Sequence, residues 1–181
     1  MLAFPVEKVG KVQVVLFNNA NEDRKKSIQA HNTSIAMLRL SQDGSILATA
    51  SQKGTLIRLF DTNTEQSLCE LRRGAVQAVI TDISIDANNE YVSCASDQGT
   101  IHVFKVEKGD NSTDVQNKKS ALSSLSGAFG YFGSKWSFSQ FRVKDSYCKA
   151  AVLSGKVIAI SKQGSYYCGN IAFQGDIKIE K

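Results

Sequence analysis

"ATASQKGTLIRLFD", residues 48–61, is answered about 45 residues later by "SCASDQGTIHVFKV", residues 93–106. Ala50-Ser51 matches Ala95-Ser96, and Gly54-Thr55 matches Gly99-Thr100. After a one-residue deletion, "IRLF" (57–60) matches "IHVF" (101–104). Upstream, "MLRLSQDG" (37–44) answers "DISIDANN" (82–89), and "VIAISKQGSYYC" (157–168) is a weaker third copy. Each copy reads as short strands rich in Ile, Val, Leu and Thr, bounded by turn-forming "SQDG", "DANN", "QKG", "DQG" and "KQG". Alternation within the strands is partial, as expected where both faces are covered. The fold class predicted is all-β.

A period near 45 with a Gly-Thr-Ile signature is that of WD40-type β-propeller blades, and "FD" (60–61) stands where the WD dipeptide would be. The whole chain, 1–181, then reads as a partial propeller of about three blades plus one leading strand. The blades fall at 31–71, at 74–143 with a long loop at 107–136, and, weakly, at 147–181. "GKVQVVLFN" (10–18) reads as the outer strand of an earlier blade. A closed ring takes typically 4–8 blades, so this chain is expected to leave strand edges open to self-association.

Lys plus Arg exceeds Asp plus Glu, 22 to 17, giving +5. That balance favours anionic partners without selecting one. Four scattered cysteines, Cys69, Cys94, Cys148 and Cys168, lack metal-ligand spacing and read as buried reduced thiols in strand interiors. No secretory h-region opens the chain, and no run of about 18 apolar residues spans a bilayer, so an intracellular soluble protein is expected. Two histidines, no nucleophile motif and no Walker-type phosphate loop give no catalytic constellation. Neither an enzyme, a cofactor nor a metal is expected. Nucleic acid is disfavoured as well, because "LRRGAVQAV" (71–79) lacks base-stacking aromatics among its arginines.

Arg72 and Arg73 lie at the seam between the two matching copies. On an extended backbone successive side chains point to opposite sides. One arginine can therefore serve the blade before the seam and the other the blade after it. Gly74 offers a sharp turn or close approach to a ligand. In the repeat alignment Arg58 of "IRLF" stands where His102 of "IHVF" stands, each a basic residue in an otherwise apolar strand. Nearby hydroxyls are Ser51 and Thr55 in one copy, Ser96 and Thr100 in the other. Guanidinium forks and hydroxyls are what phosphate oxygens require. Other readings stand beside this one. An arginine pair is commonly a solvated feature. Arg58 could pair with Asp61 or Asp43, His102 could be a core histidine, and the hydroxyls could cap turns.

"AH" (30–31), "ATAS..GTLIRLFD" (48–61), "LRRG" (71–74) and "GTIHVF" (99–104), with the opening "LAFPVEKVGKVQV" (2–14), together resemble the PROPPIN (WIPI-type) family. The resemblance implies a seven-bladed phosphoinositide-binding propeller whose first blades would precede residue 1. Its hallmark arginine motif corresponds to Leu71-Arg72-Arg73-Gly74. It implies one site of His31, Arg58 and Arg72 and another of Arg73, Thr100 and His102, with Ser51, Thr55, Lys53 and Ser96 as additions. The implied ligand is the headgroup of phosphatidylinositol 3-phosphate or 3,5-bisphosphate. The implied setting is the cytoplasmic surface of preautophagosomal or endosomal membranes, with autophagy-type protein partners. His31 keeps a structural alternative, since WD40 repeats use a histidine near this point to brace a blade. A protein-interaction scaffold without lipid binding is the alternative function.

Between Glu107 and Lys135 the repeat stops. Leu122, Leu125, Phe129, Phe132 and Trp136 follow at spacings of 3, 4, 3 and 4, one side of a helix. Gly127, Gly130 and Gly133 would cost such a helix roughly 2.5–3 kcal/mol relative to Ala. A segment this apolar is expected to order when its aromatic side meets a membrane interface. The resemblance implies the same, since a long loop in the blade after the arginine motif is the family's membrane-inserting element. Packing against the propeller itself or a protein partner is the alternative.

Overall fold

The computed structural model describes residues 1–17, 24–106, 135–171, 175–177 and 179–180. Its strands form four sheets that stack in chain order, with no helix among the described residues. The first sheet holds β1 (Leu2–Pro5), β2 (Lys11–Leu16) and β3 (Arg24–Gln29). The leading segment thus carries three strands where one was expected. The second sheet holds β4 (Ile35–Leu40), β5 (Ile46–Ser51), β6 (Leu56–Asp61) and β7 (Ser67–Arg72). The third holds β8 (Ile80–Ile85), β9 (Tyr91–Ser96), β10 (Thr100–Lys105) and β12 (Ser139–Arg142). The fourth holds β13 (Cys148–Leu153), β14 (Lys156–Ser161), β15 (Tyr166–Asn170) and β17 (Ile179–Glu180).

Two short strands attach in parallel to outer edges. β11 (Lys135–Trp136) joins β7, and β16 (Gly175–Asp176) joins β12, making the second and third sheets five-stranded. All other pairings are antiparallel meanders. The first strands of the second, third and fourth sheets, β4, β8 and β13, lie side by side. That is the blade arrangement of a β-propeller.

The core consists of the layers between sheets. Val12, Val14 and Ile28 of the first sheet meet Leu47 and Phe60 of the second. The second sheet's Ile46, Ala48, Ile57 and Leu59 meet Ile83, Val92 and Phe104 of the third. The third sheet's Ile101, Val103 and Phe141 meet Ala150, Val157 and Tyr167 of the fourth. β5 therefore supplies both of its faces to packing, and all six of its residues are buried. This is why its sequence, "ILATAS", does not alternate.

One ionic bridge crosses three sheets. Asp82 of β8 is buried and meets Arg39 of β4 at 3.3 Å and Lys149 of β13 at 3.6 Å. Its other oxygen accepts the Ala150 N–H at 3.1 Å. The four cysteines lie in strands and are free thiols, Cys94 and Cys148 buried as expected but Cys69 and Cys168 only partly so. Burial pushes the Cys94 thiol up to about 12, which keeps it inert.

Candidate anion-binding seam

β6 and β10 begin alike, as the repeat requires. Arg58 is the third residue of one strand and His102 the third of the other. Arg58 stands across from Thr49 of β5, and His102 across from Cys94 of β9.

A cleft of about 220 Å³ opens beside the second sheet. His31, Ser51, Lys53, Thr55, Arg58 and Arg72 line it. Asn32 and Thr33 also line it, and sequence reasoning missed both. They follow the "AH" pair directly, so the one available signal was their adjacency to His31.

Arg58 is held from behind. The Arg58 Nε donates to Glu70 Oε2 at 2.9 Å, and its Nη1 donates to the Ala30 carbonyl at 2.7 Å. Glu70 faces Arg58 across the β6–β7 hairpin. The carboxylate partner is thus neither Asp61 nor Asp43. Asp61 accepts the N–H groups of Asn63 and Thr64 in its own turn. Asp43 is taken by Ser41, Ser45 and Asn89, whose hydrogen bonds hold its carboxyl far below the usual range. Counting back from the "DTNTEQS" turn would have reached Cys69 instead, because a bulge between Leu59 and Phe60 shifts the register by one residue.

His31 does two things. Its Nε2 lies 3.0 Å from Thr49 Oγ1, a brace onto β5, while its ring also lines the cleft. Burial, with the Arg58 charge nearby, pushes its imidazole down to about 4. It is neutral at pH 7, and protonation would add a charge where an anion could repay it.

Arg72 is 3% exposed, and its guanidinium sits 6.0 Å from the centre of the Trp136 ring. Trp136 lies in β11, paired with Arg72 in register. This corrects its place in the expected helix: residue 136 is extended and belongs to the edge of the second sheet. Leu122, Leu125, Phe129 and Phe132 lie outside the described residues.

Arg73 takes a different direction. Its Nε donates to the Gly54 carbonyl at 2.9 Å and its Nη2 to the Val76 carbonyl. It is 6% exposed and does not line the cleft with Arg72. Its charge instead bears on Cys94, Asp97 and His102 of the third sheet. Burial first and Arg73 second push the His102 imidazole down to about 4. The His102 Nδ1 is 3.3 Å from Ser137 Oγ, and its ring stacks on Phe104.

Ser96 ends β9 at 2% exposure, and its hydroxyl makes no hydrogen bond among the described residues. A buried polar group left so costs about 1–3 kcal/mol. Thr100 opens β10 opposite Arg142 of β12. Side chains directly opposite share a face, so Arg142, which is exposed, adds a basic residue that the sequence reading missed.

The close turn is made by Gly54 rather than Gly74. Gly54 has φ +62, and a Cβ there would fall 1.8 Å from the Ala78 carbonyl oxygen. At Gly74 none of the described residues comes within 4 Å of that position. The "QKG" turn thus lies against the 73–79 loop, and the Ala78 N–H donates back to the Lys53 carbonyl at 3.3 Å. This contact presents Arg73 to the third sheet.

The PROPPIN family model matches residues 1–163. Ectopic P granules protein 6 of Caenorhabditis elegans is 41% identical over 124 residues, which are 67% of this chain and 31% of that protein. Autophagy-related protein 18e of Arabidopsis thaliana is 37% identical over 146 residues, 81% of this chain and 38% of that one. Among solved structures, Kluyveromyces lactis Hsv2p superimposes with a TM-score of 0.75 at 25% identity, over 97% of this chain and 55% of that one. The chain thus spans well under two thirds of these relatives. With blade stacking, repeat and arginine seam agreeing with a match over nearly the whole length, the chain belongs to the PROPPIN family.

Proposed function

We propose that this chain is a membrane-recruitment module that takes two phosphoinositide headgroups, one on each side of the Arg72–Arg73 seam. The observation that carries the reading is the divergence of the two arginines. Arg72 shares a cleft with His31, Ser51, Lys53, Thr55 and Arg58, while Arg73 bears on His102 beside Ser96 and Thr100. Each side offers guanidinium donors, an imidazole that can gain a proton, and hydroxyls. That is the donor set for a phosphate dianion. Phosphatidylinositol 3-phosphate or 3,5-bisphosphate is the proposed ligand, on the cytoplasmic face of autophagic or endosomal membranes. Protein partners of the autophagy type would be brought there by the same binding. The role is binding, with no catalysis.

The apolar side chains Leu122, Leu125, Phe129 and Phe132 are proposed to insert into the bilayer. Linked to two headgroup sites, such an insertion raises avidity by about 10²–10⁴ over one site. Vesicle flotation tests the reading. The wild-type chain should float with vesicles containing phosphatidylinositol 3-phosphate, and a folded Arg72→Thr/Arg73→Thr variant should stay at the bottom. Phe129→Ser with Phe132→Ser should weaken flotation but spare binding of the soluble headgroup. Flotation of the double arginine variant at the wild-type level would leave a protein-interaction scaffold in place of a lipid binder.

A further inference from the structure

The geometry points to the 73–79 loop as a membrane contact in its own right, with Val76 and Val79 entering the bilayer interface between the two headgroup sites. The inference rests on the headgroup reading above and goes beyond it to name side chains that meet the lipid beside the headgroups. Val76 is 70% exposed and Val79 62%, while Ala78 between them in sequence is buried. No large apolar side chain among the described residues is more exposed than Val76. A single valine in water is ordinary. This pair is set apart by what holds its loop and by where the loop runs.

The loop backbone is pinned on both sides. Toward the second sheet, the Arg73 N–H donates to the Thr55 carbonyl at 3.0 Å and the Ala78 N–H to the Lys53 carbonyl at 3.3 Å. Lys53 and Thr55 both line the first cleft. Toward the third sheet, the Val79 N–H donates to Asp97 Oδ1 and the Asp97 N–H to the Val79 carbonyl, each at 3.0 Å. Asp97 directly follows Ser96 of the second site. The Arg73 side chain closes the loop from within by donating to the Val76 carbonyl. The loop therefore joins the rim of one site to the rim of the other, and a lipid surface held at both lies over it. A loop already fixed loses little freedom when its side chains are covered. Basic sites flanking an apolar tip match a surface that carries anions at its headgroups and hydrocarbon beneath them, which commits the occupant to a bilayer.

Two probes separate lipid contact from headgroup binding. One is phosphatidylcholine vesicles carrying phosphatidylinositol 3-phosphate, and the other is soluble inositol 1,3-bisphosphate. Val76→Ser with Val79→Ser should weaken vesicle flotation about tenfold across a lipid titration, while calorimetry with the soluble probe stays within about twofold of wild type. Position is read separately, with Val76→Trp and vesicles of brominated acyl chains. The sequence holds one tryptophan, Trp136, so wild type supplies the baseline. Vesicle-bound Val76→Trp should lose more emission than vesicle-bound wild type. Wild-type flotation of the serine variant, or no added emission loss, would overturn the insertion and leave the headgroup reading intact. Equal losses on vesicles and on the soluble probe would make the loop a support for the sites and would also overturn it. A wild-type chain with no affinity for either probe would overturn both readings. If the serine variant fails to fold, the emission comparison decides.

Discussion

Ser96 shows how a single atom separates fold from function. Its hydroxyl is buried without a hydrogen-bond partner among the described residues, a burden on stability that a phosphate oxygen could relieve. Ser96→Ala should therefore leave the melting temperature unchanged or raise it, while weakening headgroup binding on the Arg73 side. Thermal unfolding and calorimetry on one preparation check both halves. A lower melting temperature with unchanged binding would make the hydroxyl structural. At this scale the sequence was legible where the repeat aligned residues. Arg58 and His102 do occupy equivalent strand positions. It was silent where a partner depended on hairpin register. Glu70 is twelve residues from Arg58, and nothing local marks it as the opposite number. Trp136 was misassigned because its spacing from Phe132 fits a helix, while its partner strand lies more than sixty residues upstream.

Among the elements, the turn between β5 and β6 decides where Arg73 goes. Gly54 lets that turn touch the 73–79 loop and offers the carbonyl that receives the Arg73 Nε. Gly54→Ala meets two penalties: a left-handed backbone costing about 1–2 kcal/mol, and a Cβ against the Ala78 carbonyl. Gly164, at φ +88 with none of the described residues within 4 Å of an added Cβ, meets only the first. Gly54→Ala should thus destabilise the chain more than Gly164→Ala and should also weaken headgroup binding. Denaturant unfolding of the two variants measures the difference, and equal losses would mean that the close approach carries no weight. The "QKG" turn was legible from its residues, whereas the loop it touches was not. Only the stacked strands reveal that contact, so the sequence reading gave Gly74 the turning role.

For the whole molecule, a repeat of about 45 residues was enough to read stacked blades, because each sheet must bury two faces and so repeats its pattern. The extra edge strands, β11 and β16, escaped that reading, since two residues carry no periodicity. The outer face of the fourth sheet leaves Leu153, Ile160 and Tyr166 about half exposed, an apolar face of the kind that invites association. Between the second and third sheets lies the seam, where one arginine turns back and the next turns forward. Whether they serve two pockets is a question of stoichiometry. Titration calorimetry of the wild-type chain with inositol 1,3-bisphosphate should give two sites, and Arg72→Ala and Arg73→Ala should each leave one. A wild-type stoichiometry of one, or the loss of all binding in either single variant, would contradict the account.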